Sequence, residues 1–406
     1  MIQTMEAETP SPRPDGEELF NPRSESFIRD PYSRYDRLRS LDPVHFDPRL
    51  NGWLVSRYAD VDALLRDSAM GRAGQRRFFG HFDEGSSIDL ASRSWLLNMD
   101  PPDHTRIRRQ FGKAFTRQRV ESLRPYVEQK VEALLDHIAA DGGCDFVSSV
   151  AQPLPVALIC MMLGVPEERH EICRDHSSAL LPLLDPVISQ AQQQRAEEAC
   201  AWFLEYFSEL AEQRRRDPKD DLLSALLPAE GELARHELIN NIIFLFSAGH
   251  ETTSSLLGNG LYALLTHPEQ YSALAEDPGL APGAVSEMLR WDAPVQYFGR
   301  KATADLKVGD KQLRQGDVVM GLVGAANRDP ERFKDPHRFD IRRQDCQPVS
   351  FGAGIHYCIG AALSKMESEA LFARLPQRFP DMRLVAEPER RGLMAVRSFK
   401  ALDIAV

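Results

Sequence analysis

Apolar residues recur three and four positions apart through three long stretches, Arg119 to Ala139, Gln190 to Arg215 and His236 to Thr266. That spacing is one face of an α-helix, so each stretch predicts one. An Ala-rich run from Ala361 to Phe372 predicts another. Strand signals are short. Trp53-Leu-Val-Ser is one, and the run from Val308 to Leu322 is another, with Gly309-Asp310 and Gln315-Gly316 as hairpin-like breaks. Pro336, Pro348 and three glycines mark an irregular stretch from Asp329 to Gly360. Residues 1 to 22, rich in Pro and Glu, read as a flexible tail ahead of a single domain over 23–406. The pattern predicts a mainly α fold with a small β-rich subdomain fed by both ends of the chain.

Composition narrows the class of protein. The chain has 406 residues and a net charge of −11, which argues against a nucleic-acid partner. Six cysteines form no CxxC pair, a usage that suits a reducing, cytoplasmic setting. The N-terminus lacks the apolar core of a secretory signal. The longest apolar segment, Asn241 to Leu257, is broken by Gly249, His250 and Glu251, so no membrane span is expected.

Four segments carry candidate chemistry. In Phe351-Gly-Ala-Gly-Ile-His-Tyr-Cys-Ile-Gly360, glycines at 352, 354 and 360 permit a loop that wraps the Cys358 sulfur and points N–H groups at it. The following helix adds its positive end, which favours a thiolate. One supported thiolate suits a single metal ligand and not a zinc site, which needs three or four. On loop chemistry alone, a buried thiol in a glycine-rich turn fits equally well. The second segment is Ala248-Gly-His-Glu-Thr-Thr253, inside the long apolar helix. Gly249 weakens the helix, Glu251 puts an ionisable group among apolar ones, and Thr252 can bond back to the carbonyl four residues earlier. Several local rules broken together suggest function, although a surface carboxylate with two ordinary threonines would look the same. Third, Glu287 and Arg290 stand three apart on a helix, the spacing of a common surface ion pair. Fourth, Asp100-Pro-Pro-Asp-His-Thr-Arg-Ile-Arg108 places His104 and Arg108 on one helix face, able to clamp a carboxylate or to remain a solvated basic surface.

Together these segments resemble the cytochrome P-450 family, from about Asp30 to the C-terminus. The 351–360 loop matches the family's FGxGxHxCxG at every defined position, and 248–252 is similar to its AGxxT groove with an acid before the threonine. The resemblance implies the cytochrome P-450 fold and heme b, iron protoporphyrin IX, with Cys358 as the axial thiolate and Phe351 and Gly352 beside it. By the same match His104, Arg108, Arg300 and His356 reach the haem propionates. Ala248 and Gly249 leave room for dioxygen, and Glu251 and Thr252 manage its protons, while His250 is structural or exposed. Glu287 and Arg290 become a folding pair joined by Arg338.

The implied reaction is insertion of one oxygen atom from dioxygen into an apolar or amphipathic organic substrate. Electrons would come from a separate ferredoxin or flavodoxin with its reductase. Arg106, Arg108, Arg109, Lys113, Arg117 and Arg119 would form the basic docking surface. Expected substrate contacts are Phe244, Leu245, Pro294, Val295 and Val396, with Phe78, Phe79, Phe82, Leu181 and Leu184 as further candidates. Arg76 and Arg77, beside those phenylalanines, fit a substrate carboxylate or plain solvation equally well. A hydrogen-peroxide-driven peroxygenase and a haem-thiolate sensor are the competing readings. The acid–threonine pair argues against the first, and the lack of a partner or DNA-binding module argues against the second.

Overall fold

The long apolar segment folds as one helix, Arg235–Leu265, buried along most of its length. It is called the groove helix below. Its first turn is closed by Glu237, whose side chain accepts the N–H of Ala234 at 2.8 Å. This is the return half of a capping box, and it satisfies a donor that the helix itself cannot. The computed structural model describes residues 19–72, 83–185, 188–227 and 232–406. Phe78, Phe79, Phe82, Arg76 and Arg77 lie outside the described residues.

The other expected helices form with small changes. Gln190–Arg216 starts on a full capping box between Ser189 and Gln192. Ala361–Phe372 follows the cysteine loop directly. The stretch read as one helix over 119–139 is two, Arg117–Ser122 and Arg124–Asp141. Pro125 is the reason, because proline has no N–H to give and its ring clashes with the preceding turn; it fits only the first turn of a new helix. Leu19 and Phe20 are buried, and the Phe20 ring meets Phe27 edge-on at 5.2 Å. Residues 19 and 20, inside the segment read as a tail, are therefore packed into the fold.

Strands are few and short. In chain order they are β1 (Val44–Asp47), β2 (Gly52–Val55), β3 (Met70–Gly71), β4 (Gly143–Asp145), β5 (Tyr297–Ala302), β6 (Leu306–Val308), β7 (Lys311–Leu313), β8 (Val318–Leu322), β9 (Arg383–Leu384) and β10 (Asp403–Ala405). The main sheet runs β1-β2-β8-β5-β3, with β2 and β8 parallel and the other pairs antiparallel. A second sheet pairs β4 with β10 and β10 with β9. The β6–β7 hairpin turns on Gly309-Asp310, with Gly309 at φ 57°, as its sequence suggests. No described helix is long and apolar enough to cross a membrane.

Glu287 and Arg290 are a core pair, not a surface pair. Neither has measurable exposure, and Arg290 Nε and Nη2 each donate to one Glu287 oxygen at 2.7 Å. The third arginine is Arg343, whose Nε donates to Glu287 Oε2 at 3.0 Å. Arg338 does not fill that place. Its side chain is largely exposed beside Asp340, and only its carbonyl turns inward, accepting from Arg290 and Arg343. The Pro336-His-Arg-Phe339 turn buries Phe339 and aims Arg338 at solvent, and the irregular chain then brings Arg343 back. Arg290 also donates to the carbonyls of Asn327 and Pro336, so every charged atom of the pair has partners.

Candidate active site

One cavity of about 290 Å³ brings the cysteine loop and the groove helix together. Cys358, Phe351 and His356 line it from the loop, and Ala248, Gly249, Glu251 and Thr252 line it from the helix. The loop is held at its base by the core pair's neighbourhood. Val349 N donates to Asn327 Oδ1 at 2.9 Å, and Ser350 Oγ donates to Leu289 O at 2.6 Å. Gly352 and Gly354 adopt φ 72° and 65°, which glycine takes without strain. At Gly354 a Cβ would also meet Leu65 O at 2.7 Å, so no larger residue fits. Gly360 differs from its expected role: its φ is −87°, and it serves as the cap residue of the following helix.

That arrangement shapes the sulfur's surroundings. Burial pushes the Cys358 thiol up, while N–H groups of Gly360 and Ala361 and the Arg108 charge pull it back. The net direction is upward, so a bound cation is what would complete a thiolate here. All six cysteines are free thiols.

On the groove helix, four successive hydroxyl groups bond back by one turn. Thr252 reaches Ala248 O at 2.9 Å, Thr253 reaches Gly249 O, Ser254 reaches His250 O and Ser255 reaches Glu251 O. Such bonds loosen a helix where they cluster. A Cβ on Gly249 would touch only the Ile159 side chain, at 3.7 Å. Protein packing therefore does not demand glycine there, and the space it leaves faces the cavity. Glu251 is 2% exposed. Burial alone would raise its carboxyl, but His250, Arg391 and Ser178 outweigh it and hold the pKa down to about 2. His250 Nε2 lies 3.2 Å from Glu251 Oε1, and His250 Nδ1 lies 3.1 Å from Ser177 Oγ. His250 is fully buried, which selects the structural reading over the exposed one.

At the cavity edge five basic side chains crowd together. His104 and His356 place their rings 4.4 Å apart, each with a buried Nε2 that has no hydrogen-bond partner. His356 is pushed down to about 2 by burial and by Arg72, Arg300, His104 and Arg108. His104 is pushed down to about 4 by burial and Arg108. Burial lowers Arg300 to about 10, and burial with the Arg300 charge lowers Arg72 to about 9. Among the described residues, Asp100 is the acid that offsets the His104, Arg72 and Arg300 charges. Buried bases with so little opposing charge call for an anion. A flat iron macrocycle bearing two carboxylates fits this donor set: a sulfur for the metal, orphaned nitrogens and arginines for the carboxylates, and an open glycine above.

The expected residues divide clearly. Phe244, Leu245, Pro294, Val295, Val396, Leu181 and Leu184 all line the cavity. Arg108 lines it too and donates to Tyr357 O at 2.6 Å. His104, Arg300 and Gly352 do not reach the lining; the first two sit behind His356 and Arg72 among the clustered bases. Of the lining residues not foreseen, Arg72, Trp95 and Glu367 bear most on the chemistry. Arg72 carries no motif and is one of 49 Lys and Arg residues. Trp95 stacks on Phe244 at 5.7 Å. Glu367 lines the cavity with an unpartnered oxygen, and burial holds its carboxyl far above the usual range. Its signal was present, as an acid on the apolar spacing of the 361–372 helix.

Comparisons with known proteins find relatives along most of the chain. The family model described as Cytochrome P450 matches residues 54–278 and 280–386. The chain is 41% identical over 380 residues to cytochrome P450 107B1 of Saccharopolyspora erythraea, covering 90% of this chain and 91% of that protein. It is 39% identical over 390 residues to 6-deoxyerythronolide B hydroxylase of the same organism, covering 91% and 95%. Among solved structures, P450BioI in complex with an acyl carrier protein ligated to hexadec-9Z-enoic acid superposes with a TM-score of 0.89 at 34% identity, covering 94% and 98%.

Proposed function

The chain belongs to the cytochrome P450 family of haem b monooxygenases, and from that premise we propose that it inserts one atom of dioxygen into a sizeable apolar or amphipathic molecule. The observation that carries the reading is the single cavity in which Cys358 shares a lining with Ala248, Gly249, Glu251 and Thr252. Haem held by a cysteine thiolate supplies the redox centre for splitting dioxygen, the sulfur pushing electron density toward iron. We assign Cys358 as that ligand. Phe351 and Gly352 shape its loop, and His104, Arg108, Arg300 and His356 take the propionates with Arg72. Ala248 and Gly249 leave the space in which dioxygen sits.

Protons are the protein's own contribution. Glu251 is ionised and tied to His250, Ser178 and Arg391, whose side chain is partly exposed. A proton arriving through water beside Arg391 would pass a Glu251 oxygen only in transit, because the carboxyl is held down. Thr252 Oγ1 spends its own proton on Ala248 O, and releasing that bond turns the hydroxyl toward the cavity. This is proton delivery by positioned groups.

Electrons come from a separate acidic ferredoxin or flavodoxin with its reductase. The basic surface is narrower than a count of residues suggests, because Arg106 pairs with Glu237 and Asp103, Arg109 with Glu232 and Arg119 with Asp220. Lys113 and Arg117 make no ion pair among the described residues, and exposed Ile355 and Tyr357 flank the cysteine. Substrate contacts are Phe244, Leu245, Pro294, Val295 and Val396. Relatives named for 6-deoxyerythronolide B, for polyketide biosynthesis and for vitamin D(3) favour a bulky natural product over the small gas that a sensor would take. The enzyme works in the cytoplasm, without nucleic acid or membrane, and residues 23–406, with Leu19 and Phe20 packed onto them, act as one domain.

Purified holoenzyme, reduced under carbon monoxide, should show the Soret band of thiolate ligation, and Cys358→Ser should abolish it. Products formed under isotopically heavy dioxygen should carry the label. An unchanged band in Cys358→Ser removes the ligand assignment, and unlabelled product with peroxide as sole oxidant moves the enzyme to the peroxygenase class.

A further inference from the structure

Three stretches far apart in sequence contribute to the cavity lining: Leu180 to Leu184, Pro294 to Gly299, and Ala395 with Val396. Backbone and side-chain bonds stitch them together. Val295 and Val396 form an antiparallel bridge, Gln296 N donates to Ala395 O at 2.9 Å, and Arg397 N donates to Pro294 O at 2.8 Å. Tyr297 reaches across to Leu184, its hydroxyl donating to the carbonyl at 2.7 Å. At this third stretch the amides of Met394 and Ala395 find no backbone acceptor among the described residues. Both residues are buried. Their N–H groups go to one side chain, Asp185: Met394 N to Oδ2 at 3.0 Å and Ala395 N to Oδ1 at 2.6 Å.

Asp185 is itself buried and plays no part in haem binding or proton delivery as assigned above. Burial pushes its carboxyl up to about 6, against the pull of the two N–H bonds and of Arg23. The fold therefore keeps a poorly solvated carboxylate at a place where only a double acceptor serves. An amide of the same shape offers one acceptor and turns a donor toward the second N–H.

We propose that Asp185 is a positioning residue for substrate: it pins the Leu181–Leu184 side of the cavity to the 394–396 turn and so sets the bulk of apolar molecule that the cavity admits. The inference rests on reading this cavity as the substrate site of a haem-thiolate enzyme. Leu181, Met394, Ala395 and Val396 belong to one hydrophobic cluster with Tyr297, so the pin acts on a packed wall.

Asp185→Ala and the isosteric Asp185→Asn test it in the holoenzyme, with imidazole and econazole as probes of the ferric Soret band. In Asp185→Ala, hydrogen-exchange protection at Met394 and Ala395 should fall about tenfold, as expected for a lost buried acceptor. Econazole should bind about fivefold more weakly while imidazole stays within about twofold, because only the bulky ligand uses the wall. Asp185→Asn should lie between the parent and Asp185→Ala, and it decides the matter if the alanine variant does not fold. Unchanged exchange in both variants, or equal weakening of both azoles, overturns the proposal. A parent protein without any azole-induced shift would instead defeat the haem-thiolate reading, while the exchange comparison would still decide whether Asp185 pins the wall.

Discussion

Two groups of buried charge lie on either side of the cysteine loop, and they are built to opposite rules. Behind the loop, Glu287, Arg290 and Arg343 satisfy one another within the chain, and their remaining donors meet backbone carbonyls. Beside the cavity, Arg72, His104, Arg108, Arg300 and His356 repel one another, and two of the imidazole nitrogens have no partner at all. A buried charge without a partner costs the fold energy, so it persists where something else completes it. The first group is complete within the fold, and the second fits the proposed ligand. Buried arginine alone does not separate these roles. What does is a carboxylate bonded side chain to side chain: Glu287 holds Arg290 and Arg343 directly, whereas Asp100 is one acid facing several bases.

The hardest test of that contrast is Glu287→Ala. It strands Arg290 in the core, and breaking a buried pair costs about 3–5 kcal/mol. Urea unfolding of the haem-free variant should lose most of its cooperative transition, and a midpoint close to the parent's would mean that the pair is not what holds this region. The opposite group should respond in the opposite way. Arg300→Ala should leave the urea midpoint of the haem-free protein level or higher, while haem affinity falls roughly 10- to 100-fold, as for one partner lost from a buried charge pair. Haem transfer to a scavenging apoprotein reads that affinity directly, and unaltered transfer in both Arg300→Ala and Arg72→Ala would erase the distinction.

Acid should sharpen it further. His104 titrates near 4 in the haem-free fold, against an ordinary imidazole value of 6.5. As pH falls below 6.5 the unfolded chain takes up that proton and the folded chain does not, so stability drains away down to about 4. Carboxylates brought by haem would raise the folded value and shrink the loss. Urea midpoints at pH 7.5 and 5 should therefore diverge more without haem than with it, and parallel shifts would count against propionates at this place. The smallest effect concerns Arg338, which the sequence favours as the third arginine. Arg338→Ala should change stability by no more than ~0.5 kcal/mol, as at other exposed positions, whereas Arg343→Ala should exceed it clearly.

Much of this was legible in the sequence, for identifiable reasons. Long apolar periodicity located the groove helix, because a helix buried over many turns leaves little room for polar interruption. The interruption that did occur, Gly249 to Thr252, fell at the cavity. Residues whose role depends on neighbours distant in the chain were harder. Arg343 and Arg338 are both arginines in one irregular loop, and only the turn that buries Phe339 decides which side chain points in. Arg72 follows a two-residue strand whose pairing partner, Lys301, lies most of the chain away. Pro125 could have been read, since a proline inside an apparent helix marks a boundary. The burial of Leu19 and Phe20 could not, because they are two apolar residues in a polar run and share a cluster with Phe27 and Tyr35.

The parallel pairing of β2 with β8 also dictates an order of events during synthesis. β1 and β2 emerge early as a bare hairpin, too small to be stable in water. The strand that sits between β2 and β5 is made only after the groove helix and the Glu287–Arg290 helix, and the cysteine loop follows shortly behind it. Closing so long a loop is slow, and the unpaired edge of β2 is exposed to other nascent chains in the meantime. The sheet and the cysteine loop are therefore completed by the same late stretch of polypeptide, so a cofactor held at Cys358, as proposed, would be captured only once that stretch is made. A ribosome stalled before Val318 would carry a chain with neither.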